Sequence, residues 1–352
     1  MKKMKMRKAT KDNMITYLMV VVLFIIMQVL AAGGFLSSQI EGLLVPLCVY
    51  IIAAISLNLV VGISGELSLG HAGFMCLGAF FSAMFSKIMV GSMPDGLRFF
   101  AALLIGALIA GVFGILIGIP VLRLNGDYLA IVTLAFGEII KNLMNVFYVG
   151  KDSSGIHIAM QDATKLNMAA DGEVILKGAQ GISKTPKDST FIIGVILILV
   201  TLFIVQNIVD SRTGRAIMSI RDNRIAAESV GIDVTKYRML AFSVSAALAG
   251  MAGALYSHNL ASLTVKKFDY NTSILILVFV VLGGIGNIRG SIIATIILYL
   301  LPELLRFLQD YRMLIYAVVL IVMMLFNWAP GAIAWRERLL EKFKKNKTKG
   351  VS

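Results

Sequence analysis

Long apolar runs recur along this chain, and they leave few folds open to it. Met14–Ala32, Leu43–Val61, Ala101–Val121, Thr190–Val209 and Leu314–Trp328 approach or exceed the ~18 apolar residues that cross a bilayer as a helix. None alternates polar with apolar residues as a barrel strand does, and a helix satisfies its own backbone in lipid. Only 15% of the residues are charged, against about 25% in soluble domains. The expected fold is an all-α polytopic membrane protein. The first run follows a basic stretch, as in a signal peptide, but it is long and lacks a convincing cleavage site, so it reads as a retained span.

Membrane segments are expected at 14–32, 43–62, 70–90, 98–121, 128–149, 190–209, 239–257, within 271–300, and at 313–329. Taking 271–300 as one span gives an odd number and puts the two basic termini on opposite faces, against the positive-inside rule. Gly283, Gly284 and Gly286 resolve the conflict. Each weakens a helix by about 1 kcal/mol relative to alanine, and Asn287 and Arg289 suit a bilayer centre poorly. Broken there, the run becomes two short segments, and about ten segments are expected (range 8–10). A reentrant loop is the alternative.

Both termini then fall on the basic, cytoplasmic side of a bacterial-type plasma membrane. On that side lie the N-terminus (1–13), the polar stretch 210–238 and the tail (330–352), flanking a transmembrane domain over 14–329. Together with Arg123 and Arg289 they hold 21 of the 33 Lys and Arg. That clustering at span ends accounts for the +13 net charge without nucleic acid as a partner; the lipid bilayer is the partner it implies. The stretch 150–189 falls outside. It carries as many lysines as acids, and a small cap, a docking surface or a passive loop are all open to it.

The polar stretch 210–238 has to sit in water or against a soluble partner. Asp222 or Asn223 can N-cap a helix over about 224–230, and Gly231 suits the left-handed position that ends one. So short a helix needs a surface to pack on. Ala226, Ala227 and Val230 offer a small apolar face, ringed by Arg215, Arg221, Arg224 and Glu228.

Three further constellations could line a transport pathway. Gly62, Gly65, Gly70, Gly73 and Gly78 stand with Ser64, Ser68 and His71; they serve either close helix packing or an unwound backbone that handles a charged solute. Glu138 lies roughly 15 Å along its helix from Tyr128, near mid-depth of a ~30 Å core, with Lys141 one turn on and Thr133 on the same segment. An ion pair that fixes packing, a gating role and a proton-coupling role are all open to it. Gly283, Gly284 and Gly286 mark either a tight turn or a pathway-lining break. Cys48 and Cys76 sit in apolar runs without metal or disulfide spacing. There is no G-x-x-x-x-G-K-[ST] phosphate loop, and the three histidines form no HExxH motif, so no ATPase or catalytic set is expected in this chain.

Four blocks resemble a known family. GRAIMSIRDNRIAAESVGIDVTKYRMLAFSVSAALAGMAGALY (214–256), VGISGELSLGHAGFMCLGAF (61–80), LRLNGDYLAIVTLAFGEI (122–139) and VLGGIGNIRGSIIAT (281–295) are similar to branched-chain amino acid permeases of the LivM branch of ABC importers. The family often has a TGG-type turn where this chain has Lys177-Gly178-Ala179-Gln180-Gly181. The resemblance implies an ABC importer permease fold with a cytoplasmic coupling helix. On that reading Gly214, Arg215, Arg221, Asp222, Asn223, Ala226, Ala227, Glu228 and Gly231 dock an ATPase. It also implies a LivH-type partner permease, two ATPase subunits of the LivG and LivF type that use ATP and Mg, and an extracytoplasmic substrate-binding protein. No cofactor is bound by this chain itself. Leucine, isoleucine and valine are the implied substrates, with urea, short amides or other amino acids as alternatives. A proton-coupled secondary transporter using Glu138 is the competing mechanism.

Overall fold

A computed structural model describes residues 8–34, 37–124, 126–152, 155–168, 172–306 and 311–328. The basic residues 1–7 and the tail 330–352 lie outside the described residues. Twelve α-helices are described: α1 Lys8–Ala32, α2 Ser38–Asn58, α3 His71–Ile88, α4 Asp95–Val121, α5 Asp127–Val146, α6 Phe191–Asp210, α7 Arg212–Asp222, α8 Arg224–Ser229, α9 Val234–Ser257, α10 Tyr270–Gly283, α11 Ile288–Leu304 and α12 Arg312–Trp328.

Seven of these, α1 to α6 and α9, are long and apolar enough to cross a membrane; α2 reaches that length together with its continuation to Ser64. The shorter α10, α11 and α12 bring the set to ten. The run 271–300 is indeed two helices, α10 and α11, joined by a turn in which Gly284 and Gly286 take φ of 96° and 81°. A residue with a Cβ is strained at such angles. α5 stops at Val146, three residues short of the expected end, because Phe147–Asp152 is extended.

Helices α2, α3 and α9 form the buried centre. α1 leans on α6 through one face and leaves Leu18, Val22, Ile25 and Val29 exposed. Exposed apolar side chains of this kind on the outer helices are what lipid requires. Lipid is as apolar as leucine, so the helices associate by close packing rather than by hydrophobic exclusion. Small residues provide it. Gly106, Ala110, Gly114 and Gly118 recur every four residues on the buried face of α4, while Leu104, Leu108, Val112 and Ile119 point outward. A Cβ on Gly250 of α9 would lie 2.6 Å from the Gly106 carbonyl oxygen and would also overlap Ala110; one on Gly78 of α3 would overlap the Gly250 backbone. Three helices therefore meet backbone to backbone at Gly78, Gly106 and Gly250.

The described part of the stretch 150–189 is folded. β1 Phe147–Asp152, β2 Gly155–Met160, β3 Glu173–Lys177, β4 Ile182–Ser183 and β5 Ser262–Leu263 make an antiparallel sheet in the order β2-β1-β3-β4-β5. It is fastened to the bundle by charge. Lys87 at the end of α3 pairs with Glu173 at 2.9 Å and donates to the Ser183 carbonyl at 3.1 Å. Arg98 in α4, with only 4% of its side chain exposed, binds Asp188 at 2.7 Å and Asp95 at 2.6 Å. Each of α6 and α9 runs between the sheet and the α7–α8 pair, so these two polar structures occupy opposite ends of the bundle. Asn13 of α1 donates to Asp210 at 2.6 Å, which brings the start of the described chain to the α7–α8 end.

Candidate functional site

The polar stretch 210–238 folds as two helices, where the sequence points to one. Ser211 caps α7 by accepting from the Gly214 amide at 3.2 Å, and Gly214, Ile217 and Ile220 face inward. Asn223, not Asp222, caps α8: its side chain accepts from the Ala226 amide at 3.0 Å. The chain leaves α8 through Gly231, whose φ of 82° is the left-handed conformation expected there. Asp233 then caps α9 by accepting from the Lys236 amide at 3.0 Å.

Burial redraws the exposed face. Ala227 is an anchor, 3% exposed, packed with Ile220 and Val234 under Ile232 and Tyr237. Gly214 is likewise internal, lodged against the Ile208 and Val209 carbonyls. The apolar groups that project are Ile225 at 80% and Val230 at 74% exposure. No other large hydrophobic among the described residues is more exposed than these two. Around them lie exposed Asp222, Asn223, Arg224, Ala226 and Glu228, with Arg224 paired to Glu228 at 3.0 Å. Lipid accounts for exposed side chains on α1 and α4, but not on a helix ringed with charges. The two side chains thus form a small apolar patch in a polar setting.

Beneath the corner, α2 does not end cleanly. Past Asn58 it widens into a π-helical turn, Leu59–Ser64, is closed by Gly65 at φ 77°, and runs on without regular structure until α3 begins at His71. Widened turns of this type are frequent at functional sites. Arg221, in the last turn of α7, donates from Nη1 to the Gly62 carbonyl at 2.9 Å, and its side chain lies where a Cβ on Gly65 would be. Arg238, in the first turns of α9, pairs with Glu66 at 2.8 Å. Burial pushes the Glu66 carboxyl up to about 7, against the opposing pull of Arg238 and then Arg224. Neither Asn58, Glu66 nor Arg238 stood out in the sequence. Their signal lay in a polar side chain recurring inside or beside apolar runs.

The candidate pathway residues gather along the break. The Leu69 amide donates to Thr133 of α5 at 3.0 Å, and Gly70 abuts the Thr133 backbone. His71 is fully packed, its Nε2 lying 2.6 Å from Ser56 Oγ, and Ser68 is buried close by in sequence. Gly73 and Gly137 touch backbone to backbone. Glu138 and Lys141 form the ion pair that their spacing predicts, at 2.8 Å and half-buried. Glu138 borders a narrow crevice with Leu69, Gly73, Asp269 and Ser273. Gly283 packs against Gly290 and Ser291, and Gly286 sits beside Gly62 and Asn58. Cys48 and Cys76 are separate, buried thiols.

Residues 39–325 match the family model described as the permease component of the branched-chain amino acid transport system. The chain belongs to this family. The permease is 33% identical over 311 residues to the high-affinity branched-chain amino acid transport system permease protein LivM of Salmonella typhimurium and to that of Escherichia coli, covering 86% of this chain and 71% of each relative. It is also similar to the fructose import permease protein FruG of Bifidobacterium longum, at 26% over 306 residues and 83% of both chains. LivH of Escherichia coli is 25% identical over 256 residues, 71% of the permease and 79% of that relative. No solved structure matches it. The family and the apolar helices together make it a multi-pass membrane permease, a transport subunit.

Proposed function

We propose that this chain imports branched-chain amino acids as one permease of an ABC importer, driven by ATPase subunits that dock on the α7–α8 corner. The observation that carries the docking is the pair of bare apolar side chains, Ile225 and Val230, on a helix too charged for lipid. Its N-cap, its left-handed exit at Gly231 and its inward anchor Ala227 hold that corner rigid for a partner. The α7–α8 end is then cytoplasmic, as the basic N-terminus, tail and 210–238 stretch favour, and the sheet faces an external binding protein. ATP and Mg are handled by the ATPases. The LivM relatives support leucine, isoleucine and valine as substrates. Glu138 is held by Lys141, an arrangement suited to packing more than to carrying a proton across.

The test is reconstitution of the chain in proteoliposomes with its partner permease, ATPases and binding protein. Uptake of labelled leucine, isoleucine and valine is expected to require ATP and to persist with a protonophore. Uptake that collapses with the protonophore and needs no ATPase would refute the reading in favour of a secondary transporter.

A further inference from the structure

Two arginines, Arg221 at the end of α7 and Arg238 in the first turns of α9, reach the same short piece of chain. Arg221, at the end of α7, holds the Gly62 carbonyl at 2.9 Å, and its guanidinium is steadied by Asp222 at 3.1 and 3.0 Å. Arg238, four residues into α9, holds Glu66 at 2.8 Å with both side chains largely buried. Gly62 lies within the π-turn and Glu66 just past its left-handed exit at Gly65, where the irregular connection to α3 starts.

That piece of chain departs twice from regular helix. A π-turn is a register error within a helix, and a residue in the left-handed region marks a second change of direction. Among the described residues, the buried hydroxyls of Ser64 and Ser68 have no hydrogen-bond partner, and the Arg238–Glu66 contact is a close ion pair without hydrogen-bond geometry. The segment is held at Gly62 by Arg221, at Glu66 by Arg238 and at the Leu69 amide by Thr133. A further link carries it onward. Asn58, immediately before the π-turn, accepts from the Gly286 amide at 2.9 Å and donates to Ser291 Oγ at 2.9 Å, which joins it to the α10–α11 turn. A Cβ on Gly62 would overlap the Gly286 backbone.

We propose that residues 59–70 are the transmission element of the permease: displacement of the α7–α8 corner is delivered to them through Arg221 and Arg238 and passed by Asn58 to the α10–α11 turn. This rests on the reading of the corner as the ATPase dock. Arg221, Arg238, Glu66 and Asn58 act as positioning residues and need not touch the solute. Elements with two discrete arrangements are what carry coupling between distant sites, and a widened turn that can return to α-helical register is such an element.

The test uses the complete importer in nanodiscs and proteoliposomes. In Asn58→Ala and Arg238→Gln, the ATPases should still copurify in full, while solute imported per nucleotide hydrolysed falls about tenfold, within the range of coupling between linked sites. A purely structural role would instead lower assembly and thermal stability in step with uptake. The double variant Glu66→Arg with Arg238→Glu should recover part of the ratio. Should the single variants fail to fold, a second measurement decides. Spin labels at Leu67→Cys and at the outward-facing Leu104→Cys, with Cys48 and Cys76 replaced by alanine, report their separation with and without a nonhydrolysable ATP analogue. The distance distribution is expected to shift in the otherwise unaltered chain. A wild-type chain that binds no ATPase would overturn the proposed function, and this inference with it. A transporting complex whose separation stays fixed, or whose import ratio is unmoved in both single variants, would overturn the inference alone.

Discussion

If Ile225 and Val230 are the apolar contact with the ATPase, shaving them to alanine should weaken docking by a calculable amount and leave the permease fold intact. Ile225→Ala removes three carbons and Val230→Ala two, and each buried methylene is worth about 0.8 kcal/mol. Scaled by exposures of 80% and 74%, the fraction still available for burial by a partner, these come to about 1.9 and 1.2 kcal/mol. The double variant should lose about 3 kcal/mol, or ~150-fold in Kd. The assay is titration of nanodisc-embedded permease with labelled ATPase, in parallel with thermal unfolding of the permease alone. Unfolding should be unchanged, because neither side chain is buried in the bundle. Ala227→Leu is the contrasting variant: it overfills the pocket made with Ile220 and Val234 and costs local stability of about 1–3 kcal/mol. A Kd within twofold of wild type for the double variant would refute the assignment of this face.

Other outcomes follow from the packing and the charges. Gly78→Val or Gly250→Val should abolish folded, detergent-stable protein, since the new side chain collides with backbone where α3, α4 and α9 meet, whereas Gly96→Ala, at a site with open space, should be neutral or mildly stabilising; fluorescence-detected size exclusion separates the two. Arg98→Leu should cost about 3 kcal/mol by leaving Asp188 without its buried partner, and hydrogen exchange should show the loss first in 172–183. Glu66 sets a pH dependence. Its carboxyl, raised to about 7 from an ordinary 4.5, binds its proton more tightly in the folded protein than in the unfolded chain. Stability from this group is therefore full below about 4.5, declines as pH rises through about 7, and levels off above. Glu66→Gln should flatten that part of a midpoint-versus-pH curve, and a slope that persists in the variant would refute the assignment.

Much of this architecture was legible because lipid enforces a simple code. A run of some twenty apolar residues permits little besides a spanning helix, and Gly283, Gly284 and Gly286 fall where α10 gives way to α11. Asn223 and Gly231 bracket α8 by local chemistry alone, so its place was readable too. Which way α8 faces was not. Ala226, Ala227 and Val230 are all small and apolar, and only the packing of Ile220 and Val234 decides that Ala227 turns inward. The sheet escaped notice for a related reason: β4 and β5 are two residues each and pair across some eighty positions of sequence. The tethers at Gly62 and Glu66 were equally hidden, because the sequence offers Arg221 as a charge facing a docked partner and gives Arg238 no role, whereas both reach inward.

Helix α9 is a rod of 24 residues with a handle at either end. Its first turns hold Glu66 through Arg238, its middle donates from Ser245 to the Ser56 carbonyl, and its last residue, Ser257, meets Ser82 before the chain enters the sheet as β5. Whatever seizes the sheet thus also seizes a stiff lever whose other tip lies beside α8. On the proposed reading, an arrival at one surface would be felt at the opposite one by leverage, before the solute itself begins its passage.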